Sequence, residues 1–111
     1  MKVLKFGGTS VGSAASIRNV KNIISRLPGT KLLVLSAMSG VTNQLVEISG
    51  LVKTKNFTKL SEKIDALRSK HFDLIDELIT DESLKLSIKN NIDSQINILG
   101  KVCESEWNNE V

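Results

Sequence analysis

The chain has one cysteine, Cys103, and one histidine, His71, among 111 residues. A single thiol excludes an intramolecular disulfide and any cysteine-rich zinc site, and one imidazole leaves little for a histidine-based metal cluster. Tyrosine is absent, and one tryptophan with three phenylalanines is too little for a base-stacking platform. Net charge is +3, from 15 basic and 12 acidic residues. Read along the whole chain the signs look interspersed, unlike the clustered basic face of a nucleic-acid binder, so no nucleic-acid partner is expected. No run approaches the roughly 18 apolar residues of a membrane span. The start, Met1-Lys2-Val3-Leu4-Lys5-Phe6, lacks the apolar stretch and cleavage site of a signal peptide. A cytoplasmic address and no membrane partner are the expectations. One proline among ordinary proportions of hydrophobic (41%) and charged (24%) residues argues against a disordered or loop-rich chain. The length fits one small domain or a piece of a larger one.

What is present is a change of pattern partway along. Residues 2–6 form a short apolar-rich run ending at Gly7-Gly8, which reads as a strand feeding a turn. Ile17, Val20, Ile23, Ile24 and Leu27 then repeat at helical spacing, with Ser13 as N-cap and Pro28-Gly29 as the stop. Lys31 to Ser36 is a continuous apolar run, the pattern of a strand buried on both faces. Strand, helix and strand make a βαβ unit with parallel strands and a right-handed crossover. The loop Ala37–Gly40 leads into a helix from about Val41, with Leu45, Ile48, Leu51 and Val52 as its apolar face.

Beyond Lys53 the spacing is helical only. Leu60, Ile64, Leu67, Leu74, Ile75 and Leu78 make one amphipathic series, and Ile88, Ile92, Ile96, Leu99 and Cys103 make another. Asp81-Glu82-Ser83 supplies the turn and helix start between them. The organisation expected is a βαβ unit over 1–54 and a helical segment over 57–107. Two strands are too few for a stable α/β sheet, so the remaining strands are expected on residues or a chain outside this sequence.

The strongest chemical signal is Lys5-Phe6-Gly7-Gly8-Thr9-Ser10-Val11-Gly12, at the end of the first strand. Ligands of α/β sheets bind at the carboxyl ends of strands. Glycines there let backbone N–H groups approach an anion, and a helix N-terminus adds ~0.3–1 kcal/mol. A lysine ammonium at 4 Å contributes about 4 kcal/mol per unit phosphate charge at an effective dielectric of about 20, before desolvation. The lysine outweighs the dipole. The spacing is not a Walker A motif, because Ser13 stands where its lysine would be, and Gly-x-Gly-x-x-Gly is absent. A tight strand-to-helix turn with a solvent-facing lysine is the structural alternative. The second constellation, Ser36-Ala37-Met38-Ser39-Gly40-Val41-Thr42-Asn43, ends the second strand. Its hydroxyls could receive a small polar substrate, or Ser39 or Thr42 could simply cap the following helix.

Residues 5–12, with Val-Leu-Ser-Ala-Met-Ser-Gly-Val-Thr-Asn-Gln-Leu at 34–45, resemble the N-terminus of the aspartokinases, in the amino-acid kinase superfamily. The resemblance covers about the first half of the chain. It implies an α/β fold, the N-terminal part of an α/β/α sandwich, and ATP-dependent phosphorylation of the L-aspartate side-chain carboxylate to 4-phospho-L-aspartate. That product would serve lysine, threonine and methionine biosynthesis. By motif position Lys5 would be the catalytic cation on the transferring phosphoryl group. Gly7, Gly8, Thr9 and Ser10 would line the ATP phosphate loop, and Ser36 and Thr42 would lie in the aspartate pocket. Mg²⁺ would accompany ATP. No carboxylate precedes Glu47, so no metal ligand is assigned.

The family continues with an acidic substrate motif, a nucleotide-binding lobe and regulatory ACT domains that these residues do not include. Without those parts no turnover by this chain alone is expected, and family membership implies homo-oligomers for the full-length enzyme. Two alternatives stand beside it: another amino-acid kinase, and a non-enzymatic helical interaction module with a vestigial glycine loop. Elsewhere the bland readings prevail. His71 and Cys103 belong to apolar helix stripes, and Lys53–Asn56 is a solvated turn. Asp73, Asp76 and Glu77 form an exposed helix face, and Trp107 is either a helix-end anchor or interface.

Overall fold

The computed structural model describes the backbone of residues 1–109 and the side chains through Ser105; the role expected for Trp107 lies outside the described residues. The elements in chain order are β1 (Lys2–Phe6), α1 (Ala14–Arg26), β2 (Lys31–Leu35), α2 (Val41–Lys53), α3 (Phe57–Leu78) and α4 (Glu82–Asn109). They divide into two compact units, residues 1–42 and 43–111. Among the described residues no helix is long and apolar enough to cross a membrane.

In the first unit β1 and β2 pair in parallel, from Lys2 opposite Lys31 to Phe6 opposite Leu35. The ladder runs one residue further, with the Ser36 N–H donating to the Phe6 carbonyl at 3.1 Å. Ser13 caps α1 as expected: its backbone is extended (φ −149°) and its Oγ accepts from the Ser16 N–H at 3.1 Å. This satisfies one of the helix's orphan donors. Arg26 closes the helix against its negative end. Pro28 and Gly29 then turn the chain, Gly29 at φ 82°, a left-handed value that glycine adopts without steric penalty.

One expectation fails here. The apolar run of β2 predicts burial on both faces, yet Leu32, Leu33, Val34 and Leu35 are all exposed. In β1, Leu4 and Phe6 are half-buried while Val3 is 62% exposed. Alternation puts Leu4 and Phe6 on one face and Val3 and Lys5 on the other. On the first face Phe6 shares a hollow with Val20 and Ile23 of α1, yet Leu33 and Leu35, on that same face by the register, also stay exposed. A run of apolar residues records the environment a strand is built for, and these residues alone do not supply that environment.

The second unit is helical and better filled. A Schellman-type C-cap ends α2: the Asn56 N–H donates to the Leu51 carbonyl at 3.1 Å and the Lys55 N–H to Val52 at 3.2 Å. Lys55 takes the left-handed position at φ 57°, where glycine is usual. Asn56 then accepts from the Lys59 N–H and starts α3. Asp81 begins α4 likewise, its carboxylate accepting from the Leu84 N–H at 3.0 Å.

Helices α3 and α4 form an antiparallel hairpin, with Leu60, Leu67, Ile75, Ile96 and Cys103 buried. Arg68 ties it together: Nε donates to Asp93 at 2.8 Å, Nη1 to Asp65 at 2.8 Å and Nη2 to Asn97 at 3.0 Å. Nearer the turn, Lys89 pairs with Asp76 at 2.6 Å and lies 5.3 Å from the Phe72 ring centre. That ammonium holds the Asp76 carboxyl below the ordinary carboxylate range, through its hydrogen bond first of all. His71 is half-buried, with Nδ1 2.8 Å from the Leu67 carbonyl, so Nδ1 carries the proton in that bond. Burial pushes the Cys103 thiol up, the opposite of what a nucleophile needs.

Candidate functional site

Seven residues, Gly7 to Ser13, connect β1 to α1, and the connection folds back on itself. The Ser10 N–H donates to the Gly7 carbonyl at 3.1 Å and the Gly12 N–H to Thr9 at 3.5 Å. Val11 and Ala14, 8% and 2% exposed, anchor the loop. The second loop, Ser36–Gly40, closes through the Val41 N–H donating to the Met38 carbonyl at 3.1 Å, with Gly40 at φ 87°. That is a type II turn, whose third position needs a residue tolerant of positive φ.

The two loops interlock. The Ser39 N–H donates to the Gly8 carbonyl at 3.2 Å. A Cβ at Gly8 would lie 3.3 Å from the Ala37 carbonyl oxygen, and one at Gly12 3.1 Å from both the Gly8 oxygen and the Ser39 Cβ. Glycine at these positions is therefore explained by the loop–loop fit. Gly7 differs: a Cβ there meets nothing within 4 Å and its φ is not in the left-handed range. Nothing in the chain's own packing asks for glycine at that position, which stays open to a close-approaching ligand.

The expected site residues are distributed as follows. Lys5 and Thr9 are exposed and Ser10 is half-buried. Ser36 sits one residue beyond β2 and is exposed. Thr42 is exposed inside the first turn of α2, which begins at Val41; neither Ser39 nor Thr42 therefore occupies the cap position, which falls to Gly40. A hollow of about 280 Å³ lies beside the first loop, lined by Phe6, Thr9, Ser10, Ser16, Asn19, Val20 and Ile23. Lys5, Gly7 and Gly8 do not line it. The structure thus gathers the two loops at one sheet end but does not join Lys5 with Thr9 and Ser10 in a single cavity. Sequence reasoning missed Ser16 and Asn19, although their spacing of three on α1 places them on one helix face, and it missed the Ser39 backbone tie.

Charge separates this region from the rest. Residues 1–42 contain six basic side chains, Lys2, Lys5, Arg18, Lys21, Arg26 and Lys31, and no carboxylate. Such a field favours anions. Among the described residues no group of three His, Cys, Asp or Glu could hold a metal ion. The hairpin also has a groove of about 390 Å³, lined by Leu60, Ile64, Arg68, Ile96, Lys101 and Glu104 among others. Its guanidinium is already engaged by Asp65, Asp93 and Asn97.

Comparison with known proteins identifies the family. The chain is 44% identical over 84 residues to the aspartokinase of Chlamydia trachomatis, a match spanning 76% of this chain and 18% of that one. It is 42% identical over 60 residues to the putative inactive aspartokinase 3 of Haemophilus influenzae, covering 54% of this chain and 50% of that one. Its fold superposes on the crystal structure of Escherichia coli aspartokinase III in complex with lysine and aspartate, with TM-score 0.77 and 27% identity, over 96% of this chain and 22% of that chain. The chain thus spans about a fifth of the length of the full aspartokinases it matches. The model of the amino acid kinase family covers residues 1–101, and the chain belongs to that family.

Proposed function

We propose that the chain forms the N-terminal, phosphate-facing part of an aspartate kinase catalytic domain. The observation that carries this reading is the interlock of two strand-end loops through Gly8, Gly12 and Ser39, beside Lys5 in a unit without a single carboxylate. The substrates are ATP, accompanied by Mg²⁺, and L-aspartate; the product is 4-phospho-L-aspartate, feeding lysine, threonine and methionine synthesis in the cytoplasm. The aspartate side chain is already a carboxylate at neutral pH, so it needs no general base. One of its oxygens forms the new bond to the γ-phosphorus while the bond to the β–γ bridging oxygen breaks and ADP leaves. Catalysis is then positioning and charge neutralisation.

Lys5 is the cation that follows the transferring phosphoryl group. The N–H groups of Ser10 and Gly12 are used within the loop; those of Gly7, Gly8, Thr9 and Val11 are its amide donors to the phosphates on this reading. Thr9 and Ser10 add hydroxyls, and Ser36 and Thr42 hydrogen-bond the aspartate. Among the described residues no group of three His, Cys, Asp or Glu could hold a metal ion; Mg²⁺ bound with the nucleotide would supply further charge neutralisation on its phosphates. The chain alone is inactive on this reading, and the enzyme it belongs to is a homo-oligomer. The short Haemophilus influenzae relative whose name calls it inactive fits the same view.

The test is a chimera in which residues 1–101 replace their counterpart in the Chlamydia trachomatis aspartokinase. Retained aspartate phosphorylation, lost at least ~100-fold in kcat on Lys5→Ala with the fold intact, is expected for removal of a transition-state charge partner. A well-folded chimera indifferent to Lys5→Ala would refute the role of Lys5.

A further inference from the structure

The Gly8–Thr9 peptide lies where the two loops meet. It is the central peptide of the turn Gly7–Ser10, which the Ser10 N–H closes on the Gly7 carbonyl at 3.1 Å. The peptide is trans, so its C=O and N–H point to opposite sides. On one side the Gly8 carbonyl accepts from the Ser39 N–H at 3.2 Å. On the other, the Thr9 N–H has no hydrogen-bond partner among the described residues. The second loop thus grips one end of a peptide whose other end is an unused donor.

How that peptide is turned decides where the donor points. Rotating the central peptide of a β-turn by about 180° converts type I to type II and reverses its N–H. At Gly8 no Cβ restrains the rotation. Neither Gly8 nor Thr9 has a positive φ, as in a type I turn, and the flipped form would demand one at Thr9. A Cβ at Gly8 would lie 3.3 Å from the Ala37 carbonyl oxygen and 3.6 Å from the Ser39 Cα, so the second loop packs directly on the peptide it holds.

We propose that Ser39 is a positioning residue: its backbone N–H, on the Gly8 carbonyl, holds the Thr9 N–H toward the phosphate chain and couples phosphate binding to the order of the second loop. The inference rests on the aspartate kinase reading for its ligand. A phosphate oxygen on the Thr9 N–H polarises the same peptide and makes the Gly8 oxygen a better acceptor. Coupling is reciprocal, so whatever factor the tie adds to phosphate affinity, bound phosphate adds to closure of the tie. The device uses the main chain of Ser39 and not its hydroxyl.

The probe is inorganic tripolyphosphate, titrated into the full 111-residue protein and followed at the Thr9 amide by NMR, with Ser39→Pro and Ser39→Ala beside the parent. Proline is favoured at the second position of a type II turn, so Ser39→Pro keeps the Met38–Val41 turn while deleting the donor. Binding should weaken at least ~fivefold in Ser39→Pro and less than ~twofold in Ser39→Ala, the difference between losing and keeping one hydrogen bond. In the unsubstituted protein, saturating tripolyphosphate should slow exchange of the Ser39 amide at least ~fivefold by the same linkage, a readout that does not depend on how the proline variant folds. Equal binding by Ser39→Pro with its β1–β2 amide shifts retained, an equal loss in Ser39→Ala, or unchanged Ser39 exchange at saturation would each overturn the proposal. Failure of the reading beneath it looks different: a parent protein whose loop amides do not respond to tripolyphosphate removes the phosphate site, and this inference with it.

Discussion

Residues 1–42 and 43–111 solve opposite problems. The first unit has six basic and no acidic side chains, a net +6; the second has nine basic and twelve acidic, a net −3. Their sum is the unremarkable +3 of the whole chain, which conceals the division. Packing divides the same way. The hairpin buries Leu60, Leu67, Ile75, Ile96 and Cys103 and spends its charges on internal pairs around Arg68 and Asp76. The βαβ unit leaves most of its strand residues exposed and puts its tightest fit into two glycine loops. The comparison teaches that one part is built chiefly to hold itself together and the other to hold something else.

The sharpest way to break that comparison is truncation in each unit. Leu67→Ala, at 4% exposure, should cost about 2–5 kcal/mol in urea unfolding, the usual price of a buried leucine. Lys5→Ala should cost less than about 0.5 kcal/mol, as for an exposed side chain without a structural role. Equal losses would abolish the distinction. Within the first unit, Gly12→Ala should destabilise by about 1–3 kcal/mol through overpacking against Gly8 and Ser39. Gly7→Ala should be close to neutral in stability, and amide exchange of the two loops would separate them.

Smaller effects sharpen the picture of the second unit. Arg68→Ala should cost about 1–2 kcal/mol, since the guanidinium is partly buried and makes three side-chain hydrogen bonds. Lys55→Gly should stabilise by up to about 1 kcal/mol by relieving the left-handed backbone of the α2 cap. The smallest is a pH effect. Because Lys89 depresses the Asp76 carboxyl, the pair contributes stability above the unfolded value near 3.8 and loses it as pH falls through the lower folded value. Thermal midpoints should fall less between pH 5 and pH 2 for Asp76→Asn than for the parent.

Much of this was legible in the sequence because local rules governed it. Ser13 caps α1, Gly29 and Asp81 mark element boundaries, and the spacing of Leu60, Leu67 and Ile75 gives the buried stripe of α3. Parallel pairing follows from the βαβ order. Other features depend on atoms far apart in sequence. The run Leu32–Leu35 predicts burial, but exposure depends on which neighbours are present. The interlock of Gly12 with Ser39 joins residues 27 positions apart, and no spacing rule announces it. Lys5 and the Thr9–Ser10 hydroxyls look like one constellation on paper, yet the strand's alternation and the turn after it keep the lysine out of the hollow those hydroxyls line.

The central claim is that the two loops at the end of the sheet receive a phosphate chain. The most direct measurement is a titration of isotope-labelled protein with inorganic tripolyphosphate, followed through backbone amide NMR shifts. The account expects saturable shifts at Gly7, Gly8, Thr9, Val11 and Ser39, abolished by Lys5→Ala. Shifts confined to the hairpin groove around Arg68 and Lys101, or loop shifts unchanged by Lys5→Ala, would contradict it.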